Sequence, residues 1–123
     1  MINLPIRTTK NKFYRQVLEV LRSFPPINKL SPRELDLLAE FMRQNNDMAD
    51  VPVNKRRILI FSTENRKEIM DNLNLSQAVF NNNLSKLRKV GVITKNNDLI
   101  PLLNIPDINN FAINIRFNVQ TPE

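Results

Sequence analysis

Ala78, Asn82, Ser85 and Lys89 follow one another at steps of four, three and four residues, so they share one face of an α-helix. Asn81 and Lys86 flank that face, and no acid lies on it. Amide, hydroxyl and ammonium groups are the donors and acceptors that meet base edges and phosphate oxygens. A helix with this surface can enter a major groove without repelling the nucleic-acid backbone.

The elements that must position this face can be read around it. Phe80, Leu84 and Leu87 recur at i, i+4 and i+7 on the opposite side, an apolar stripe for a helix over Gln77–Val90. Ser76 precedes it as an N-cap, with Leu75 an apolar residue in the short break before it. Gly91 ends it, as glycine does where the chain needs positive φ. Upstream, Thr63 is expected to cap a helix over Glu64–Leu73 with Ile69, Met70 and Leu73 facing inward. Ser31-Pro32-Arg33-Glu34 combines an N-cap, a proline at the first helical position and a capping-box glutamate, with Leu30 and Leu35 placed for a hydrophobic staple. The stripe Leu35, Leu38, Ala39 and Met42 carries that helix to about Asn45. A first amphipathic helix over Asn11–Phe24 carries Phe13, Val17, Val20, Leu21 and Phe24 and stops at Pro25-Pro26. Asn46–Lys55 reads as a polar loop, and Ile58–Phe61 as a short strand. Val92–Lys95, Asn96-Asn97-Asp98 and Leu99–Leu103 read as strand, turn and edge strand, with Pro101 in the last. Phe111, Ile113, Ile115, Phe117 and Val119 alternate with polar neighbours, the pattern of a half-buried strand.

This order of elements resembles the winged helix-turn-helix superfamily over residues 30–103, through LSPRELDLLAEF and RKEIMDNLNLSQAVFNNNLSKLRKVGVI. The link Asn46–Thr63 is long for that pattern, and a helix before and a strand after the core are additions to it. The resemblance implies an α+β fold: a small winged helix-turn-helix domain with an extra N-terminal helix and an extra C-terminal strand. The chain then divides into an arm and helix over 1–29, the core over 30–103, and a C-terminal strand extension over 104–123 packed on the same domain. Position by position, the resemblance implies that Gln77, Ala78, Asn81, Asn82 and Ser85 face the bases. Asn and Gln pair with adenine, and Ala meets the thymine methyl. It further implies phosphate contacts from Lys86, Lys89, Lys95 in the wing, and Arg66 and Lys67 on the preceding helix. Exposed asparagine is also what a chain with 19 of them would show anywhere.

Composition bounds the function classes. The chain has 123 residues, a net charge of +6 and a pI of about 10.1, which favours polyanionic partners. Residues 1–23 carry +4 and residues 54–95 carry +6, whereas 28–50 and 96–123 carry −2 each. Lys55-Arg56-Arg57 either grips phosphate or guards a strand edge. Arg7, Lys10, Lys12 and Arg15 form either a basic arm or the outer face of the first helix. Without cysteine or histidine there is no disulfide, no thiol nucleophile and no imidazole acid or base. With one glycine there is no glycine-rich phosphate loop. Glu64, Glu68 and Asp71 share a helix without a partner cluster and suit its N-terminal dipole better than catalysis. Neither an enzyme, a cofactor nor a metal site is expected. Met1 is followed by INLPIRTTKNK, which lacks the apolar core of a secretory leader, and no segment is long enough to span a membrane, so a cytoplasmic protein is expected.

Two functions follow as expectations. One is a small DNA-binding regulator, with double-stranded DNA as partner. The other is a structural or assembly protein of the virion or connector type, using the scaffold for protein contacts. The strand 111–119 would then join another copy or another protein. The abundance of Asn, Ile and Lys suits an AT-rich genome, and with the small size and unusual flanks it would suit a phage-encoded protein, acting in the host cytoplasm or the virion. The apolar strand face is expected to be covered by the N-terminal helix around Phe13, Val17 and Leu21.

Overall fold

In the computed structural model, which describes residues 2–105 and 107–122, the chain is all-α. Five helices follow in order: α1 (Lys10–Leu21), α2 (Pro32–Asp47), α3 (Val53–Ile60), α4 (Thr63–Leu73) and α5 (Gln77–Val90). Short 3-10 turns occupy Ile27–Lys29 and Pro101–Leu103. Among the described residues there is no strand, so the expected α+β fold with a wing is incorrect.

The helix ends obey their local chemistry. Ser31 and Glu34 form the expected reciprocal capping box at the start of α2. Ser62, rather than Thr63, caps α4: its oxygen accepts from the Asn65 amide at 3.2 Å. The same hydroxyl donates to the Leu59 carbonyl at 2.9 Å, joining the end of α3 to the start of α4. Helices α4 and α5 close alike. Asn74 and Gly91 adopt left-handed φ of 54° and 88°. The following amides of Leu75 and Val92 reach back to the Met70 and Leu87 carbonyls at 2.8 and 3.2 Å.

Helix α2 lies at the centre and packs against each of the other four. Its buried Leu35, Leu37, Leu38, Phe41 and Met42 meet Phe13, Tyr14, Val17, Leu18 and Leu21 of α1, and Phe80, Leu84 and Leu87 of α5, in one core. Leu30 and Leu35 are both buried, as a staple requires. Helix α1 is thus part of the core rather than an appendage.

The four expected strands are absent for separate reasons. Ile58–Phe61 is the end of α3 and the residue after it; only Ile60 of α3 is buried, while Ile58 and Leu59 are exposed. A four-residue apolar run carries no periodicity that separates helix from strand. After α5 the chain makes a tight reversal, but pairing is limited to one bridge between Ile93 and Leu99, with Ile100 N–H donating to the Val92 carbonyl at 3.2 Å. Pro101 then opens a 3-10 turn and removes the next donor a ladder would need. Residues 111–119 are extended but unpaired. Their apolar face meets α1 only at its beginning: the Phe111 ring packs edge-on against Phe13 at 5.5 Å and Ile113 leans on the core. Ile115, Phe117 and Val119 are 48%, 86% and 90% exposed, so the expected cover by α1 does not extend to them.

One buried polar contact fixes α4 on α2. Gln44 and Asn65 exchange amide hydrogen bonds at 3.2 and 2.7 Å, and Asn65 also donates to the Ile60 carbonyl at 2.6 Å. Asn65→Ala strands the Gln44 amide in the core and is expected to cost about 1–3 kcal/mol, read by denaturant unfolding.

Candidate nucleic-acid interface

Helices α4 and α5 are joined by Asn74, Leu75 and Ser76 alone. The left-handed Asn74 turns the chain, Leu75 is half-buried, and the Ser76 hydroxyl accepts from the Val79 amide at 3.2 Å. Two helices joined by a three-residue turn thus lie on α2, without the expected wing. Because Phe80, Leu84 and Leu87 are buried, the phase of α5 is fixed, and Ala78, Asn82, Ser85 and Lys89 stand diametrically outward. Gln77 and Asn81 are exposed to one side and Lys86 is half-buried on the other. Lys67 on α4 is exposed, and Lys95 is exposed on the reversal that stands where a wing was expected.

Arg66 is less free than its sequence position suggests. Its Nε donates to the Phe61 carbonyl at 2.9 Å and its guanidinium lies 6.0 Å from the centre of the Phe61 ring. Arg88, which the helical face does not single out, approaches the same ring at 5.9 Å and donates to Asn97 Oδ1 at 2.7 Å. Partial burial, and then the charge of Arg66, hold the Arg88 guanidinium below its ordinary pKa. The sequence signal for this pair is weak, since it depends on Phe61, which reads as strand core.

The basic triplet has no strand edge to guard, and two of its three members make contacts within the protein. Arg56 donates to Asn45 Oδ1 and to the Ala49 and Val51 carbonyls, bracing the loop between α2 and α3. Arg57 makes a two-pronged contact with Asp98, both distances 2.6 Å, and so ties α3 to the reversal after α5. Lys55 alone of the three is exposed.

Charge is distributed by pairing as well as by number. In α1 and α2, Lys10 pairs with Asp47, Arg15 with Glu19 and Asp36, Arg22 with Glu19, and Arg43 with Glu40 and Asp47. Residues 54–95 hold nine cations, and of these only Arg57 pairs with a carboxylate among the described residues. The Arg7, Lys10, Lys12 and Arg15 group is thereby divided: Lys10 and Arg15 serve contacts to α2, and Arg7 and Lys12 are exposed.

A shallow groove of about 160 Å³ lies between α1 and α2 and reaches Leu73. Its charged walls, Arg15, Asp36, Glu40 and Arg43, are taken up by the ion pairs just named. Glu64, Glu68 and Asp71 are exposed on α4, and no group of three potential metal ligands occurs among the described residues. Among the same residues, no helix is long and apolar enough to cross a membrane.

By fold, then, the chain is a small all-helical protein. Comparison with protein-family models, curated proteins and solved structures finds no match.

Proposed function

We propose that this chain is a small DNA-binding regulator that inserts α5 into the major groove and holds the flanking phosphates with lysine and arginine. The observation that carries this reading is the outward face of α5. Ala78, Asn82, Ser85 and Lys89 point away from the core, no acid interrupts them, and the surrounding cations lack carboxylate partners among the described residues. An acid-free helix face of this kind is compatible with close approach to a polyanion, and unpaired cations leave their charge available for phosphate. The short connection from α4 supports it further, as does the packing of both α4 and α5 on α2. Without a wing, binding rests on α4, α5 and the reversal that carries Lys95.

The test is binding to mixed-sequence duplex DNA across a salt series. Binding is expected to weaken steeply with salt, and Lys86→Ala with Lys89→Ala to flatten the logarithmic slope by about 0.9 for each phosphate that the variant no longer neutralises. A slope unchanged in the double variant removes this face from the interface.

A second reading, assembly through protein contacts, is favoured by one observation. Ile2, Leu4 and Ile6 near one end, and Phe117 and Val119 near the other, are largely exposed apolar side chains. It predicts a concentration-dependent mass in solution that does not depend on DNA.

A further inference from the structure

We infer that Arg66 and Arg88, set on the Phe61 ring, form a shared seat for one phosphodiester of the DNA backbone. The inference rests on the reading of α5 as a groove-entering helix and adds a specific anchor beside it.

Phe61 is covered on one side by Phe41, whose ring stacks on it at 5.0 Å with planes 17° apart. Both guanidiniums approach the same ring, at 6.0 and 5.9 Å from the Phe61 centre. Two cations brought together on an aromatic face repel each other, and no carboxylate among the described residues pairs with either. The protein holds them there even so. Arg66 is tethered by the Phe61 carbonyl, and Arg88 by Asn97. Asn97 is itself placed by a left-handed turn, and its neighbour Asp98 is locked to Arg57. Each arginine spends one N–H group on its tether. The remaining terminal amino groups of Arg66, and Nε and Nη1 of Arg88, make no bond to the described residues.

Preorganised and uncompensated donors of this kind suit an oxyanion that offers two or more oxygens to two forks, as a phosphate does. Position favours a backbone phosphate. Arg88 lies about a quarter-turn from the outward face of α5, on the side of Gln77 and Asn81, while Lys86 lies on the opposite side. A helix seated in a groove has a phosphate wall on each side. The arginine pair would meet one wall and Lys86 the other.

The full-length chain is tested as Arg66→Gln, Arg88→Gln and the double variant, each checked for an unchanged thermal midpoint. Salt slopes are measured on duplex DNA, and the arginine Nε–H resonances are followed in titrations with duplex, inorganic phosphate, and chloride at matched ionic strength. Because the two arginines share one phosphate, the double variant is expected to flatten the slope by about 0.9, not twice that. Both resonances should move together with duplex. A slope equal to wild type in the double variant, or a loss twice as large built from two independent single losses, overturns the shared seat while leaving the groove reading intact. Should a variant lose its thermal midpoint, the wild-type resonances decide alone: joint movement with duplex supports the seat, and stationary signals overturn it. If the chain binds no duplex at any salt, the groove reading fails, and the seat is overturned as a backbone contact. Movement with inorganic phosphate but not chloride would then identify a site for free phosphate instead.

Discussion

Leu84→Ala is expected to lower the unfolding free energy by about 2–5 kcal/mol, the transfer cost of the side chain plus the cavity it leaves. Leu84 is 3% exposed and lies between Phe80 and Leu87 on the stripe that seats α5 against α2. The core around it is shared by α1, α2 and α5, so the loss cannot be confined to one helix. For a domain of this size that is a large share of the total stability. Chemical denaturation followed by helical circular dichroism gives the value. A change below about 0.5 kcal/mol, the range of ordinary surface substitutions, would mean that the helix phase, and with it the assignment of the outward face, is incorrect.

That phase is legible in the amino-acid sequence, because it depends on chemistry within one helix. Ser76 offers an oxygen to a free amide, Gly91 accepts positive φ, and three apolar residues at 3.6-residue spacing define which side is inward. The same holds for α2, where capping box, proline and stripe agree. Sequence reasoning goes astray at the elements whose existence depends on a partner far away in the chain. A strand needs an edge to donate to and accept from. The alternation Phe111–Val119 describes side chains that would suit a sheet, but the fold supplies no edge, and the segment stays extended and unpaired. Ile58–Phe61 misleads for a related reason. Its β-branched and aromatic residues suit a strand, yet Pro52 starts a helix just upstream, and Arg56 anchors that helix to the Ala49 and Val51 carbonyls. The reversal at Asn96–Asp98 is visible as a turn, but not that Pro101 limits its arms to one bridge. The candidate interface divides along the same line. Outward residues of α5 follow from periodicity, whereas the seat on Phe61 depends on Arg66, Arg88 and Asn97 meeting across three elements.

Asn82→Asp should reduce duplex binding by about 30-fold on every sequence. The substitution exchanges an amide for a carboxylate of the same shape, so packing is unchanged at this exposed position, and helix propensity differs little. What changes is one negative charge on the outermost line of α5. At about 8 Å from a groove phosphate and an effective dielectric constant near 20, Coulomb's law gives roughly 2 kcal/mol of repulsion. Loss of any hydrogen bond from the amide to a base adds to it. The same step at Asn28, exposed in the turn between α1 and α2, gives the same net charge for the whole chain and is expected to weaken binding far less. Comparing the two variants separates a local contact from a general loss of positive charge. If Asn28→Asp and Asn82→Asp weaken binding equally, attraction to DNA comes from the overall charge alone and α5 does not enter the groove. If neither variant unfolds earlier than wild type and only Asn82→Asp loses affinity, the acid-free face of α5 is the surface that meets the polyanion.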